Sequence, residues 1–350
     1  MLLILLLLSL LVVLFILYYG RSSKRMPRNW REFTIELKYQ YYGGMGFLAD
    51  VLMKFKNHED LVLKPGKVAI VTGGNRGIGF EVVKKLLLCD MTVVLGVRNP
   101  EIVKKTFEDI CKAEQRKGKV VIETCDTAKM ESVENFAKKV QERFSEIHVL
   151  INNAGVMCTP YSKTKDGFES QMAINHLGHF LLTHLLMPQL KAGGLKNDSQ
   201  NVRILNVSSC VHKAAKMDYD DFHMEKFYYP VDSYNKSKLA QVYFTQHLDE
   251  LCRMSHLNIQ VHSIHPGIVH TDLFQNCSSG YFPWIQKLFY KTAEQGSRTI
   301  VHAAMSPKLE GHGGTYLSNC RIAKATRNQN ESRKLFEYSC EILHVKDFMK

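Results

Sequence analysis

Lys67-Val-Ala-Ile-Val-Thr72 runs directly into Gly73-Gly74-Asn75-Arg76-Gly77-Ile78-Gly79, and then into Phe80-Glu-Val-Val-Lys-Lys-Leu-Leu-Leu88. The first part is a short, almost continuously apolar run, which suits a strand buried on both faces of a parallel sheet. The last part reads as a helix. A glycine turn between a strand and a helix lets the backbone approach a pyrophosphate seated on the helix N-terminus. The spacing is Gly-x-x-x-Gly-x-Gly, not the more familiar Gly-x-Gly-x-x-Gly. Glycines alone would fit any tight turn. The strand before them and the helix after them favour a phosphate cradle.

Working outward, the same alternation repeats. Met91 to Val97 is the next expected strand, and Arg98 follows it where a ribose-binding carboxylate would otherwise stand. Arg98, with Arg76 in the glycine turn, favours NADP(H) over NAD(H), which stays admissible. Glu101 to Lys117 forms an amphipathic pattern, and Lys119 to Cys125 the third strand, with Asp126 at its exit. Asp126 could bond an adenine amino group or N-cap the helix beginning near Met130; both readings stay open. Glu131 to Phe144 is expected to be helical. Ile147 to Ile151 is the fourth strand, closed by Asn152-Asn153-Ala154-Gly155. Gly167 to Leu190 reads as one long apolar helix containing Asn175, and a buried Asn needs partners. Val202 to Ser208 and Ile259 to Ile264 are the fifth and sixth strands, the latter followed by His265-Pro266-Gly267 and Thr271. Gly314 to Leu317 is the last strand, and Phe336 to Val345 a C-terminal helix. The pattern predicts an α/β, Rossmann-type, doubly wound parallel sheet in a single domain.

Between the fifth and sixth strands lie Ser208-Ser209 and Tyr234-Asn-Lys-Ser-Lys238, the tyrosine opening a helical run over Ser237 to Leu251. A Tyr and a Lys at i and i+4 share a helix face. At about 5 Å and an effective dielectric of ~20, an ammonium favours phenolate by roughly 3 kcal/mol. That would lower a tyrosine pKa of ~10 by about two units. Such a phenol can exchange a proton with a reacting oxygen. Isolated Tyr-x-x-x-Lys pairs are usually solvated helix surface, so the weight rests on the surrounding motifs.

The chain of 350 residues has a formal charge of +12. No nucleic-acid module or interleaved aromatic stripe accompanies that charge, so no nucleic-acid partner is expected. Nine cysteines are scattered without a Cys-x-x-Cys; they read as reduced thiols, and no metal site is expected. Met1 to Tyr19 carries no charged side chain. As a helix it would span about 28 Å, close to the ~30 Å hydrocarbon core. Arg21, Lys24, Arg25, Arg28 and Arg31 follow at once. The expectation is therefore an uncleaved transmembrane anchor over 1–19, with the body cytosolic by the positive-inside rule, rather than a cleaved signal peptide. Residues 20–64 read as a basic juxtamembrane linker interrupted at Gly43-Gly44-x-Gly46, 65–320 as the catalytic domain, and 321–350 as a helical tail. Five Asn-x-Ser sequons, at Asn197, Asn206, Asn235, Asn276 and Asn330, bear on orientation. Asn206 lies inside the fifth strand and Asn235 adjoins Tyr234, where glycans would jam the fold.

The ordered set Thr72-Gly-x-x-x-Gly-x-Gly79, Asp126, Asn152-Asn-Ala-Gly155, Asn175, Ser209, Tyr234-x-x-x-Lys238 and Pro266-Gly267 resembles the short-chain dehydrogenase/reductase family over residues 67–320. Asn175-His-Leu-Gly-His-Phe180 and the long Ser209-to-Tyr234 separation resemble its retinol-dehydrogenase-like branch. Asp166-Gly-Phe-Glu169 and Leu309-Glu-Gly-x-Gly-Gly314 resemble an X-chromosome-encoded member of that branch, which adds isoprenoid alcohols to retinoids and sterols as substrates. The resemblance implies roles. Tyr234 exchanges the proton, Lys238 lowers its pKa and bonds the nicotinamide ribose, Ser209 holds the substrate oxygen, and Asn175 supports a water relay. Gly73, Arg76, Ile78 and Gly79 cradle phosphate, Asn153 and Gly155 contact the cofactor, and Pro266, Gly267 and Thr271 seat the nicotinamide. It also implies a lipophilic small-molecule substrate and membrane association, the endoplasmic reticulum being the expected membrane; a homodimer stays open. Tyr281-Phe-Pro-Trp-Ile285 and Leu288-Phe-Tyr290 suggest an apolar lid. The competing reading is a cofactor-holding sensor or scaffold without turnover.

Overall fold

The computed structural model describes residues 27–53, 57–113, 118–195, 201–276 and 290–350. The expected membrane anchor and the apolar lid segment up to 289 lie outside the described residues. Among the described residues, no helix is long and apolar enough to cross a membrane.

Eight strands form one sheet: β1 (Val68–Thr72), β2 (Thr92–Val97), β3 (Lys119–Thr124), β4 (Val149–Asn152), β5 (Val202–Val207), β6 (Ile259–His265), β7 (Thr315–Ser318) and β8 (Arg321–Ala323). Their order is β3-β2-β1-β4-β5-β6-β7-β8. All neighbours run parallel except the terminal β7–β8 pair. The central strands are rich in Val and Ile and buried along their length, as expected for strands covered on both faces. β8 escapes the sequence pattern because it is three residues long and largely exposed.

Before the sheet comes α1 (Trp30–Met53). One face of the sheet packs on α2 (Gly77–Leu88), α3 (Glu101–Ala113) and α9 (Ala293–Met305), through Val83, Leu87, Phe107 and Ile300. The other face packs on α4 (Met130–Arg143), α6 (Gly178–Leu185), α8 (Pro230–Met254) and α10 (Gln329–Ile342), through Phe136, Phe180, Phe244 and Phe336. The tail belongs to this core: the Phe348 ring centroid is 4.7 Å from that of Phe180 and 4.8 Å from that of Phe336.

The helix expected over Gly167 to Leu190 is in fact several pieces. Glu169 caps α5 (Ser170–Met172), accepting from the Gln171 and Met172 amides. A π turn (Ala173–Leu177) joins it to α6, and α7 (Met187–Leu195) follows, with Pro188 in its first turn. β1 and β4 are adjacent although they are not consecutive in the chain. This reversal of strand order opens a crevice at their C-terminal ends, the usual ligand position in such sheets.

Candidate active site

A cavity of about 600 Å³ follows that crevice. Its wall holds Gly73, Arg76, Ile78, Gly79, Arg98, Asp126, Asn153, Gly155, Ser209, Tyr234, Lys238, Pro266, Gly267 and Thr271. These are all the expected site residues except Asn175. They arrive from the turns that follow six strands, β1 to β6, and from α8, so the fold gathers residues some 200 positions apart.

At one end is the glycine turn. Gly73 has φ +68°, and a Cβ there would stand 2.8 Å from Ala154 Cα, so only glycine fits without displacing backbone. The Thr72 hydroxyl oxygen accepts from the Asn153 and Ala154 amides, both at 3.0 Å. The Asn153 side chain donates to Thr72 O at 2.9 Å and Gly73 O at 3.1 Å. Its two donors therefore pin the turn, and Asn153 also lines the cavity. Arg76 occupies the N-cap of α2 without a side-chain cap bond. The first amides of this twelve-residue helix therefore lack an N-cap side-chain partner, the arrangement that suits an anion.

Two sequence readings change here. Asp126 does not cap α4: Lys129 stands at that N-cap, and the Met130 amide donates to Asp166 at 3.2 Å. Asp126 instead accepts from the Ala128 amide at 3.2 Å, in an Asx turn at the cavity wall. Arg76 pairs with Asp272 at 2.8 Å, both side chains more than half exposed. Arg98 is exposed beside the same end of the cavity.

At the other end, α8 begins at Pro230, earlier than the sequence pattern indicated, so Tyr234 sits inside the helix and not at its opening. It is only 4% exposed, which removes the solvated-surface reading. Lys238 Nζ lies 5.7 Å from the Tyr234 ring centroid and donates to Val207 O at 2.9 Å. Burial alone pulls the Lys238 ammonium down to about 8. The sequence argument credited its charge but omitted this desolvation. The two serines divide their work. Ser208 Oγ donates to Lys238 O at 2.7 Å. Ser209 is at the cavity wall, with Oγ accepting a long 3.5 Å bond from the Val211 amide.

Asn175, in the π turn, stands behind the wall. Its Nδ2 donates to Val156 O at 3.0 Å and Ser237 Oγ at 2.9 Å, while its Oδ1 accepts from the Val156 amide at 2.9 Å. A Cβ on Gly155 would sit 3.2 Å from that Oδ1. Its carbonyl lies 3.2 Å from His179 Nδ1, and His179 Nε2 lies 2.9 Å from Thr72 Oγ1. A carbonyl can only accept, so Nδ1–H donates to Asn175 O and Nε2 is left to accept from the Thr72 hydroxyl. Burial pulls His179 down to about 3, keeping that ring neutral. His179 thus ties the glycine turn to the turn bearing Asn175, a link invisible without the fold.

α1 roofs the tyrosine end. The Gly43-Gly44-x-Gly46 break is absent; the helix runs through it. A Cβ on Gly46 would lie 2.7 Å from Cys210 Sγ, so glycine here serves close approach. Tyr39 and Gly43 line the cavity, and Tyr229 Oη donates to Glu36 at 2.9 Å. Asp50 fixes the far end, accepting from Lys291 Nζ at 2.9 Å, the Ile268 amide at 2.7 Å and Asn319 Nδ2 at 3.0 Å. The stretch read as linker is therefore part of the site. His265, also in the wall, has both ring nitrogens buried without a protein partner among the described residues. The sequence marked it only as the neighbour of Pro266.

A strand-order switch crevice, a glycine turn against an uncapped helix, and a Tyr–Lys pair beside a serine define a dinucleotide-dependent dehydrogenase site. The family model described as short chain dehydrogenase matches residues 67–281. Human polyprenol dehydrogenase is 38% identical over 293 residues, covering 81% of this chain and 87% of that protein. Human retinol dehydrogenase 11 is 39% identical over 286 residues, covering 80% and 86%. A solved structure of an uncharacterized protein from Mycobacterium Paratuberculosis is 28% identical, with TM-score 0.63, covering 81% of this chain and 96% of that one. The chain belongs to the short-chain dehydrogenase/reductase family, in its retinol-dehydrogenase-like branch. It is an oxidoreductase acting on CH–OH groups, and its fold implies an NAD(P) cofactor.

Proposed function

We propose that the protein is a membrane-anchored NADP(H)-dependent oxidoreductase that interconverts a lipophilic alcohol of retinoid, sterol or isoprenoid type with its aldehyde or ketone. The observation that carries this reading is the placement of Ser209, Tyr234 and Lys238 in one cavity with the glycine turn. Gly73, Ile78, Gly79 and the first amides of α2 would hold the pyrophosphate, and Arg98 a 2′-phosphate. When bound, the nicotinamide exchanges a hydride with the substrate carbon. In the reducing direction, Ser209 donates a hydrogen bond that fixes the carbonyl oxygen, and Tyr234 gives that oxygen its proton. The carbonyl π bond breaks as the C–H and O–H bonds form. Lys238, held by Val207 O, lowers the cost of the phenolate left behind. The relatives named polyprenol and retinol dehydrogenase favour a long apolar substrate.

The test is turnover by the full chain with NADPH or NADH, using retinal, a steroid ketone and an isoprenoid aldehyde as probes. Reduction of at least one, faster with NADPH, is expected. Cofactor binding without turnover of any would favour a sensor or scaffold.

Two independent features support a cytosolic orientation of the catalytic domain. Asn206 and Asn235 are fully buried, so a glycan on either is incompatible with the fold. The basic run after Tyr19 supports a body on the cytosolic side. In sealed microsomes the catalytic domain should be unglycosylated and open to external protease; a protected, glycosidase-sensitive domain would reverse the assignment.

A further inference from the structure

α1 has two faces of different purpose. Tyr39, Gly43, Gly46 and Asp50 point into the protein. On the opposite side, Trp30, Leu37, Tyr41, Met45, Leu48 and Leu52 are between 50% and 79% exposed. At about 100° per residue they fall within roughly 40° of one line along the helix, a stripe about 33 Å long. The helix's charged residues, Arg31, Glu32, Glu36, Lys38 and Asp50, all fall outside it. Isolated exposed apolar residues need no explanation, but a continuous stripe of this length does.

We infer that this stripe seats α1 in the interfacial plane of a phospholipid bilayer, so that the cavity opens beside lipid. Three features select lipid as the occupant. The chain before α1 contains the uncharged apolar run Met1 to Tyr19, which brings any membrane-bound form of the protein close to Trp30. Arg21, Lys24, Arg25, Arg28 and Arg31 lie between that run and the stripe, complementary to anionic headgroups. Trp30 and Tyr41 place amphipathic rings within the stripe, as interfacial helices do. Because Tyr39 and Gly43 line the cavity from the inner side of the same helix, the cavity stands about one helix diameter, ~10 Å, from the lipid. A substrate dissolved in the bilayer would then reach Tyr234 along the edge of α1 without crossing bulk water. This consequence rests on the proposed substrate class; the seat of α1 does not.

The experiment uses the full chain in vesicles of phosphatidylcholine and phosphatidylserine. Hydroxyl-radical footprinting of the unmodified protein compares Met45 with Met254, which is 72% exposed at the C-terminal end of α8. Met45 should oxidise several-fold more slowly than Met254, independently of protein-to-lipid ratio. A second measurement replaces the two tryptophans, Trp30→Phe and Trp284→Phe, and adds Leu48→Trp. Its emission should be quenched by brominated phosphatidylcholine, while Leu195→Trp in the same background should not be. Equal oxidation of Met45 and Met254 overturns the inference even if the variants fail to fold. Protection of Met45 only at high protein density means a second copy covers the stripe, and protection without bromolipid quenching means another protein surface does; both overturn it. Loss of turnover with the footprint intact would instead count against the proposed function alone.

Discussion

Lys238 shows how burial changes a sequence-level argument. The i, i+4 spacing correctly put its charge near Tyr234, but with a folded pKa of about 8 against an ordinary 10.5 that charge fades within the working range. The folded value is depressed, so between about pH 8 and 10.5 the unfolded chain binds more protons and stability rises with pH. The reverse holds for an anionic ligand that needs the ammonium. Dinucleotide affinity should fall by up to about tenfold per pH unit above pH 8. Titration calorimetry from pH 7 to 9.5 reads this, and a flat affinity would remove the charged lysine from binding. Arg98 carries the selectivity prediction. Arg98→Asp should weaken NADPH much more than NADH, by charge repulsion against the 2′-phosphate; equal losses would mean another group selects. Arg76 is the weaker candidate, because Asp272 already engages it. Site residues within one motif were legible in the sequence. Asn153's double bond to the glycine turn and the Thr72–His179–Asn175 chain were not, because their partners arrive from other strands.

Among the elements, α1 departs furthest from the sequence reading. Glycines at 43, 44 and 46 lower helix propensity by about 1 kcal/mol each relative to alanine. Tertiary contact outweighs this: at Gly46 the absence of a side chain lets the helix lie against Cys210. The second cause is the Asp50–Lys291 pair, whose side chains are 6% and 5% exposed. Asp50→Asn leaves that ammonium buried beside a neutral group. It should cost about 3–5 kcal/mol of stability in denaturant titration; a loss under ~1 kcal/mol would mean that α1 docks without the pair. The segmented region around Asn175 was missed for a related reason: an apolar periodicity cannot reveal that Glu169 caps a three-residue helix or that a π turn follows. The parallel strands, in contrast, were legible to within one or two residues, because burial on both faces leaves continuous Val- and Ile-rich runs.

For the whole molecule, the buried histidines set the acid limit. Burial pulls His176, His212 and His265 down to about 4, and His179 and His262 to about 3, from an ordinary 6.5. Their folded values are depressed, so below pH 6.5 the unfolded chain binds more protons, and each histidine removes up to ~1.4 kcal/mol of stability per pH unit. Burial raises Glu36, Glu169 and Asp249, which offsets part of this as they take up protons. Against a total stability of roughly 5–15 kcal/mol, cooperative unfolding should occur above about pH 4, read by circular dichroism. A chain still folded at pH 4 would refute that balance. The order of motifs made the sheet and its crevice legible, but composition could not show that residues 27–53 and the tail to Phe348 close around the sheet. The central claim is that this cavity couples hydride transfer to proton transfer from Tyr234. Tyr234→Phe removes one hydroxyl and keeps the ring. In the full chain, it should lower NADPH-dependent turnover by on the order of 10²-fold or more, with NADPH affinity retained; turnover near that of the unmodified protein would contradict the account.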